Sequence, residues 1–170
     1  MRVITVMVFL VGFWAAPSQS LDAVDCTNAA IQPTTPSNDF DIIGEGDVVR
    51  HLTTGLEWRR CVEGRSWTGD GCSAEIATAF SWEGALLHAE QSEGWRLPNI
   101  KELLSIVENC RVEPPMNLAV FPDSGYAFWS SSPFPKDSEL VFVLDKETSG
   151  FATPRFKTQA WFVRLVRDSE

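Results

Sequence analysis

The chain has no Cys-x-x-Cys pair, no Gly-x-Ser-x-Gly elbow, no EF-hand loop and only two histidines in 170 residues. Each absence removes a class of chemistry. The first leaves the cysteines outside the standard zinc-ligand spacings. The second removes the strained turn that presents a hydrolase serine, and the third removes the common calcium loop. With His51 and His88 as its only imidazoles, the chain is also poor in general bases. Basic residues are scarce as well: 14 Lys and Arg face 23 Asp and Glu, a net charge of −9, which disfavours nucleic acid and anionic lipid as main partners. Beyond the first twenty positions, no apolar run approaches the roughly 20 residues that a membrane-spanning helix needs.

The opening segment "MRVITVMVFLVGFWAAPSQS" has one charge, Arg2, an apolar run from Val3 to Ala16, and small residues at Ser18 and Ser20. That pattern is a secretory signal peptide with cleavage expected after Ser20, leaving an exported chain, periplasmic or extracellular, with no membrane insertion. Removing it takes away Arg2 and no acid, so the net charge moves from −9 to −10. Residues 21–41 have Pro, Thr and Asn without periodicity and read as a tail; residues 42–170 are expected to form one domain, large enough to bury a core.

Four cysteines in an oxidising compartment imply two disulfides. Cys61 and Cys72 flank the Gly-rich "VEGRSWTGDG", a loop whose closure is worth on the order of 3 kcal/mol in the chain-entropy model. Cys26 and Cys110 are then left for each other, which would pin the tail to the end of the second helix. The competing possibility, a zinc site with His51 or His88, fits no standard spacing.

"DVVRHLTTGLEWRR" gives two short β-prone runs around a tight turn, with Gly55 supplying the left-handed backbone. "SWEGALLHAE" places Ser81 as N-cap and Trp82, Ala85, Leu86 and Ala89 on one helical face. In "GWRLPNIKELLSIVE", Asn99 and Glu102 form a capping box, and Ile100, Leu103, Leu104, Ile106 and Val107 form the expected buried stripe. Pro98 holds Leu97 extended ahead of that helix. "YAFWSSS", "ELVFVLD", "SGFATP" and "AWFVRLVR" follow as strands, so the class is α+β: two helices packed on antiparallel strands, with long irregular loops stapled by disulfides.

In order along the chain, "TTGLEW", "SWEGAL", "GWRLPNIKELLSIVE", "FPDSGYAFWSSS" and "FVRLVR" resemble the C-terminal domain family of the Legionella collagen-like protein, over roughly Gly46 to Arg167. Within these motifs Gly55, Trp58, Trp95, Arg96, Leu97, Pro98, Glu102, Trp129 and Ser131 are the structural positions. "WRLP" turning into a helix with a downstream glutamate is similar, on that one motif, to the C-type-lectin-like group that includes the formylglycine-generating enzymes. The resemblance implies a compact lectin-like domain, and family members are exported bacterial modules whose namesake is an adhesin for sulphated glycosaminoglycans. The Gly-X-Y stalk is absent here, and the acidic charge departs from what a polysulphate would favour.

The expected function is therefore ligand binding or adhesion, with glycan as the ligand class. The alternatives are a structural or accessory subunit of a cell-surface assembly and, last, an enzyme on a lectin-like scaffold. No catalysis is expected: Ser130, Ser131 and Ser132 read as alternating strand residues, and the copper-binding thiol pair of the formylglycine-generating enzymes would need free cysteines. Partners are a glycan or a cell-surface protein, with self-association left open. The candidate ligand-binding residues are Trp67, Arg65 and Asp123, on the disulfide loop and the Glu113–Gly125 connection. Arg96 reads as an architectural cation with Glu102 as its partner. No cofactor is expected; Asp123, Asp137, Glu139 and Asp145 offer oxygen ligands for calcium, against the preferred reading of a solvated acidic rim.

Overall fold

The computed structural model describes residues 26–169, apart from the side chain of Lys146. The expected signal peptide, its cleavage point after Ser20, and residues 21–25 of the tail lie outside the described residues.

Four antiparallel strands form one sheet in the order β1-β2-β3-β7: β1 is Phe40–Ile43, β2 Val48–His51, β3 Leu56–Arg59 and β7 Val166–Asp168. Gly55 turns β2 into β3 at φ 72°, as the hairpin pattern requires. Three more strands, β4 (Phe128–Pro133), β5 (Leu140–Asp145) and β6 (Phe151–Phe156), form a second antiparallel sheet in chain order. Between β3 and β4 in sequence lie helix α1 (Trp82–Gln91) and helix α2 (Ile100–Leu104). The Ser81 hydroxyl accepts from the Gly84 amide to start α1, and Ala85 and Ala89 face inward. At α2 the capping box is complete: Asn99 accepts from the Glu102 amide, and Glu102 accepts from the Asn99 amide.

Three boundaries differ from the sequence pattern. Helix α2 ends at Leu104, where the Ser105 hydroxyl donates to the Glu102 carbonyl. Leu104 is thus exposed, while Ile106 and Val107 reach the core from the turn that follows. In "AWFVRLVR" only Val166 onward joins a sheet; Trp161 and Phe162 make isolated bridges to Phe80 and Phe128. The tail, finally, is held by more than Cys26. Thr34 and Thr35 donate backbone and hydroxyl hydrogen bonds to the buried Glu108 carboxylate, and Asn117 Nδ2 donates to the Thr35 carbonyl and the Ser37 hydroxyl. Both disulfides form as expected, Cys26–Cys110 and Cys61–Cys72, and no described cysteine is free.

Two apolar clusters fill the interior. One joins the sheets through Val49, Trp58, Val166, Phe128 and Leu144, with Leu103 of α2 and Phe121 from the long connection. The other packs α1 through Ala85 and Ala89 on Trp129, Val141, Val143 and Leu165. Trp129 also makes a polar contact, because its indole N–H donates to the Phe80 carbonyl at 2.7 Å. The Ser131 amide donates to the Pro98 carbonyl, so the turn before α2 is tied to β4.

A buried cation crosses this interior. Arg164, fully inaccessible, lies over the rings of Phe121 and Phe128 at 4.8 and 5.1 Å. Its guanidinium donates to the Arg59 and Arg60 carbonyls and to Asp123, whose other oxygen accepts from the Val62 amide. The group is one that can satisfy several acceptors at once, which is why arginine suits a place where loops leave carbonyls unpaired.

Arg96 is paired in a shallower setting. Its guanidinium forms a two-pronged pair with Glu102, at 2.8 and 2.9 Å, and meets Asp168 at 3.0 Å. The hydrogen bonds to Glu102 raise its pKa. With its side chain 40% exposed, solvent screening limits the contribution. Arg96→Ala is expected to cost about 1 kcal/mol, because Glu102 keeps its hydrogen bond to the Asn99 amide. Chemical denaturation measures this, and a loss above about 3 kcal/mol would mean that the pair closes the fold.

Candidate functional site: a cavity beside the disulfide loop

The loop from Cys61 to Cys72 folds back on itself. Trp67 bridges Cys72, the Thr68 amide donates to the Gly71 carbonyl, and the Thr68 hydroxyl donates to Asp70. The approach of the chain at its start is close: a Cβ on Gly64, at φ 92°, would lie 2.4 Å from the Thr78 hydroxyl and 2.6 Å from the Thr78 amide. A side chain there would push the loop off the Glu63–Thr78 hydrogen bond.

Between this loop and the β1–β2 turn opens a cavity of about 640 Å³, lined by Glu45, Asp47, Arg59, Arg65, Ser66 and Trp67. Its size lies in the range typical of small-ligand sites. Charged groups of both signs meet there, so the walls offer hydrogen-bond donors and acceptors together.

The supporting contacts are specific. Arg60 sits over the Trp67 ring, with its guanidinium carbon 4.0 Å from the centroid, and donates to the carbonyls of Gly46, Val120 and Ala119. One side chain thus fixes the β1–β2 turn, the long connection and the tryptophan. Burial, with repulsion from Arg164, pulls the Arg60 pKa down to about 10. Arg65 is held through Nε by the Glu75 carbonyl. Arg59 donates to both oxygens of Glu63 and lies over Trp95, which Arg167 also covers, at 4.9 and 4.5 Å.

Of the three residues expected to bind ligand, Trp67 and Arg65 come together in this cavity and Asp123 does not. Asp123 is buried behind it, committed to Arg164 and the Val62 amide. Trp67 is also less free than its loop position suggests. It is half-buried, one face is taken by Arg60, and its indole nitrogen is buried without an acceptor among the described residues. Glu45, Asp47 and Arg59 are not legible as site residues in the sequence, because it is the hairpin that brings them to the loop.

The carboxylates that could offer oxygens to calcium are dispersed. Asp145 is buried against Arg155, while in the exposed β4–β5 turn the Asp137 carboxylate accepts from the Glu139 amide and the Glu139 side chain is exposed. Among the described residues, Cys61, Cys72 and Asp123 form the one grouping of metal-ligand side chains, within 4.8 Å. Its sulfurs are bonded to each other, so they supply no thiolate. The histidines serve packing: His51 stacks on Phe40, and His88 stacks on Phe80 with Nε2 2.7 Å from Glu63. Burial lowers the pKa of His51.

Two antiparallel sheets, two helices and two disulfides around a loop-rimmed cavity define a mixed α and β module whose disulfides are compatible with an oxidising compartment. The chain belongs to the Lcl C-terminal domain family, whose model matches residues 47–167. That domain points to a cell-surface or secreted module, and no described helix is long and apolar enough to cross a membrane. No curated protein matches the chain.

Proposed function

We propose that this protein is an exported binding module on a C-type-lectin-like scaffold, and that it takes a glycan in the cavity beside the disulfide loop. The observation that carries this is the cavity itself. Its walls are anchored at Cys61–Cys72 and by the Arg60–Trp67 stack, so little ordering cost falls on the ligand. Carboxylates, guanidiniums and a serine hydroxyl suit the donor and acceptor pattern of sugar hydroxyls. The binding role is proposed in place of catalysis.

Trp67→Ala would remove the ring beneath Arg60 and so mixes stability with binding. The cleaner test uses the rim. Glu45→Gln and Arg65→Ala are each expected to weaken binding to a glycan selected from an immobilised panel by about tenfold, or 1.4 kcal/mol, with little change in melting temperature. A panel without a binder, or variants that bind as well as the parent, would remove the cavity from consideration. The accessory-subunit reading has one observation in its favour, the exposed Phe151 and Phe156 on the outermost strand β6. Co-purification with envelope proteins, lost in a Phe151→Ser variant, would support it.

A further inference from the structure

A second recess lies elsewhere, at the other loop system, and has different walls. An inner cavity of about 170 Å³ is lined by Gly125, Tyr126, Asp145, Glu147, Trp161 and Phe162. An outer one of about 320 Å³, lined by Glu113, Pro114, Gly125 and Glu147, shares Gly125 and Glu147 with it. The inner volume is below the roughly 300–1,000 Å³ of pockets that enclose a whole drug-sized ligand. It fits a head group, with room outside for what the head group is attached to.

The inner walls are aromatic. Tyr126 and Phe162 pack with ring centroids 4.3 Å apart, and Trp161 completes the wall with its indole nitrogen buried and without an acceptor among the described residues. Among the described residues, the charge at the mouth has one sign. Glu113 and Glu147 are exposed and have no cation among the described residues, in contrast to Glu57, Glu63, Glu102, Asp123 and Asp145, which all have one. Two described cations lie near these rings and have anionic or carbonyl partners: Arg155, 5.9 Å from the Trp161 centroid, is paired with Asp145, and Arg65, 5.8 Å from Tyr126, is held by the Glu75 carbonyl.

Aromatic faces attract cations through their quadrupole, and desolvated cages of this type select alkylammonium groups over hydrated metal ions. Carboxylates at the mouth with no cation among the described residues add long-range attraction. We propose that this recess binds an alkylammonium group. That chemistry is offered by a choline-type head group and by a lysine side chain.

The test is titration of the oxidised protein followed by the indole N–H resonances, which report the two cavities separately through Trp161 and Trp67. Choline and N-acetyl-lysine methylamide are the cationic probes, and 3,3-dimethylbutanol is the neutral counterpart of choline. Saturable movement of the Trp161 signal with either cation, and at least tenfold weaker response to the alcohol, is the expected result. Whichever cation binds tighter identifies the source. Glu113→Gln with Glu147→Gln, both at exposed positions, should weaken the cation at least fivefold with the melting temperature unchanged. Equal binding of the alcohol, the same shifts from calcium chloride alone, or an unmoved Trp161 signal would each overturn the proposal. Failure of glycan binding at Trp67 would leave this result untouched.

Discussion

Replacing Arg164 with methionine is expected to cost about 3–5 kcal/mol, the usual penalty for breaking a buried ion pair from one side. The loss comes less from the pair than from what stays behind: Asp123 buried without its cation, and the Arg59 and Arg60 carbonyls without a donor. Methionine would refill the space between Phe121 and Phe128, so cavity formation contributes little. Adding Asp123→Asn removes the orphaned charge while leaving a carbonyl to accept from the Val62 amide. The double variant should therefore be at least about 1 kcal/mol more stable than the sum of the single losses implies. Urea denaturation of the four proteins in this cycle measures the coupling, and strict additivity would show that the two groups act independently.

The Glu108→Gln variant is expected to lose about 2–4 kcal/mol, since one of two carboxylate oxygens that together accept from Thr34, Thr35 and Cys110 becomes an NH2 facing donors. It should also change the response to acid. Burial by itself would raise the Glu108 pKa, but the hydrogen bonds from Cys110, Thr34 and Thr35 outweigh it and hold the group below its ordinary value of 4.5. The folded pKa is thus depressed, so the stabilisation is complete above about pH 4.5 and is lost as the pH falls through the folded value. Glu108→Gln should flatten that acid limb while leaving the Cys26–Cys110 bond intact. Melting curves between pH 3 and 7, with limited proteolysis of the tail, test both parts; an unchanged acid limb would place the titration on another carboxylate.

What the sequence reveals and what it hides divide along chain distance. The hairpin at Gly55, the start of α1 at Ser81 and the Asn99–Glu102 box are local, each written within a few residues. The disulfide pairing follows from four cysteines and one short loop. Arg164 and Glu108 are held by partners 105 and 74 residues away, and no short window contains those partners. A signal exists even so: Arg164 stands inside the apolar run from Phe162 to Val166, where a charge must be buried or the strand must twist out. The cavity is half legible. Its Trp67 and Arg65 wall can be inferred from the loop, whereas Glu45 and Asp47 arrive by strand pairing and Arg60 acts from beneath. Asp123 reads as a surface ligand because a Pro-Asp-Ser-Gly stretch looks like a turn; its burial is set by Arg164.

The placement of β7 against β3 has a consequence for the order of events in synthesis. Glu57 on β3 meets Arg167 on β7 across 110 residues, and the same late segment delivers Arg164 to carbonyls at positions 59 and 60. Until that segment emerges, Trp58 lacks a neighbouring strand on one side and the early hairpin presents an open edge. Loop closure over so long a span is slower than local pairing, so the sheet is expected to close from its C-terminal strand. A chain that stops before Val163 should then expose this edge and aggregate rather than form a smaller folded protein.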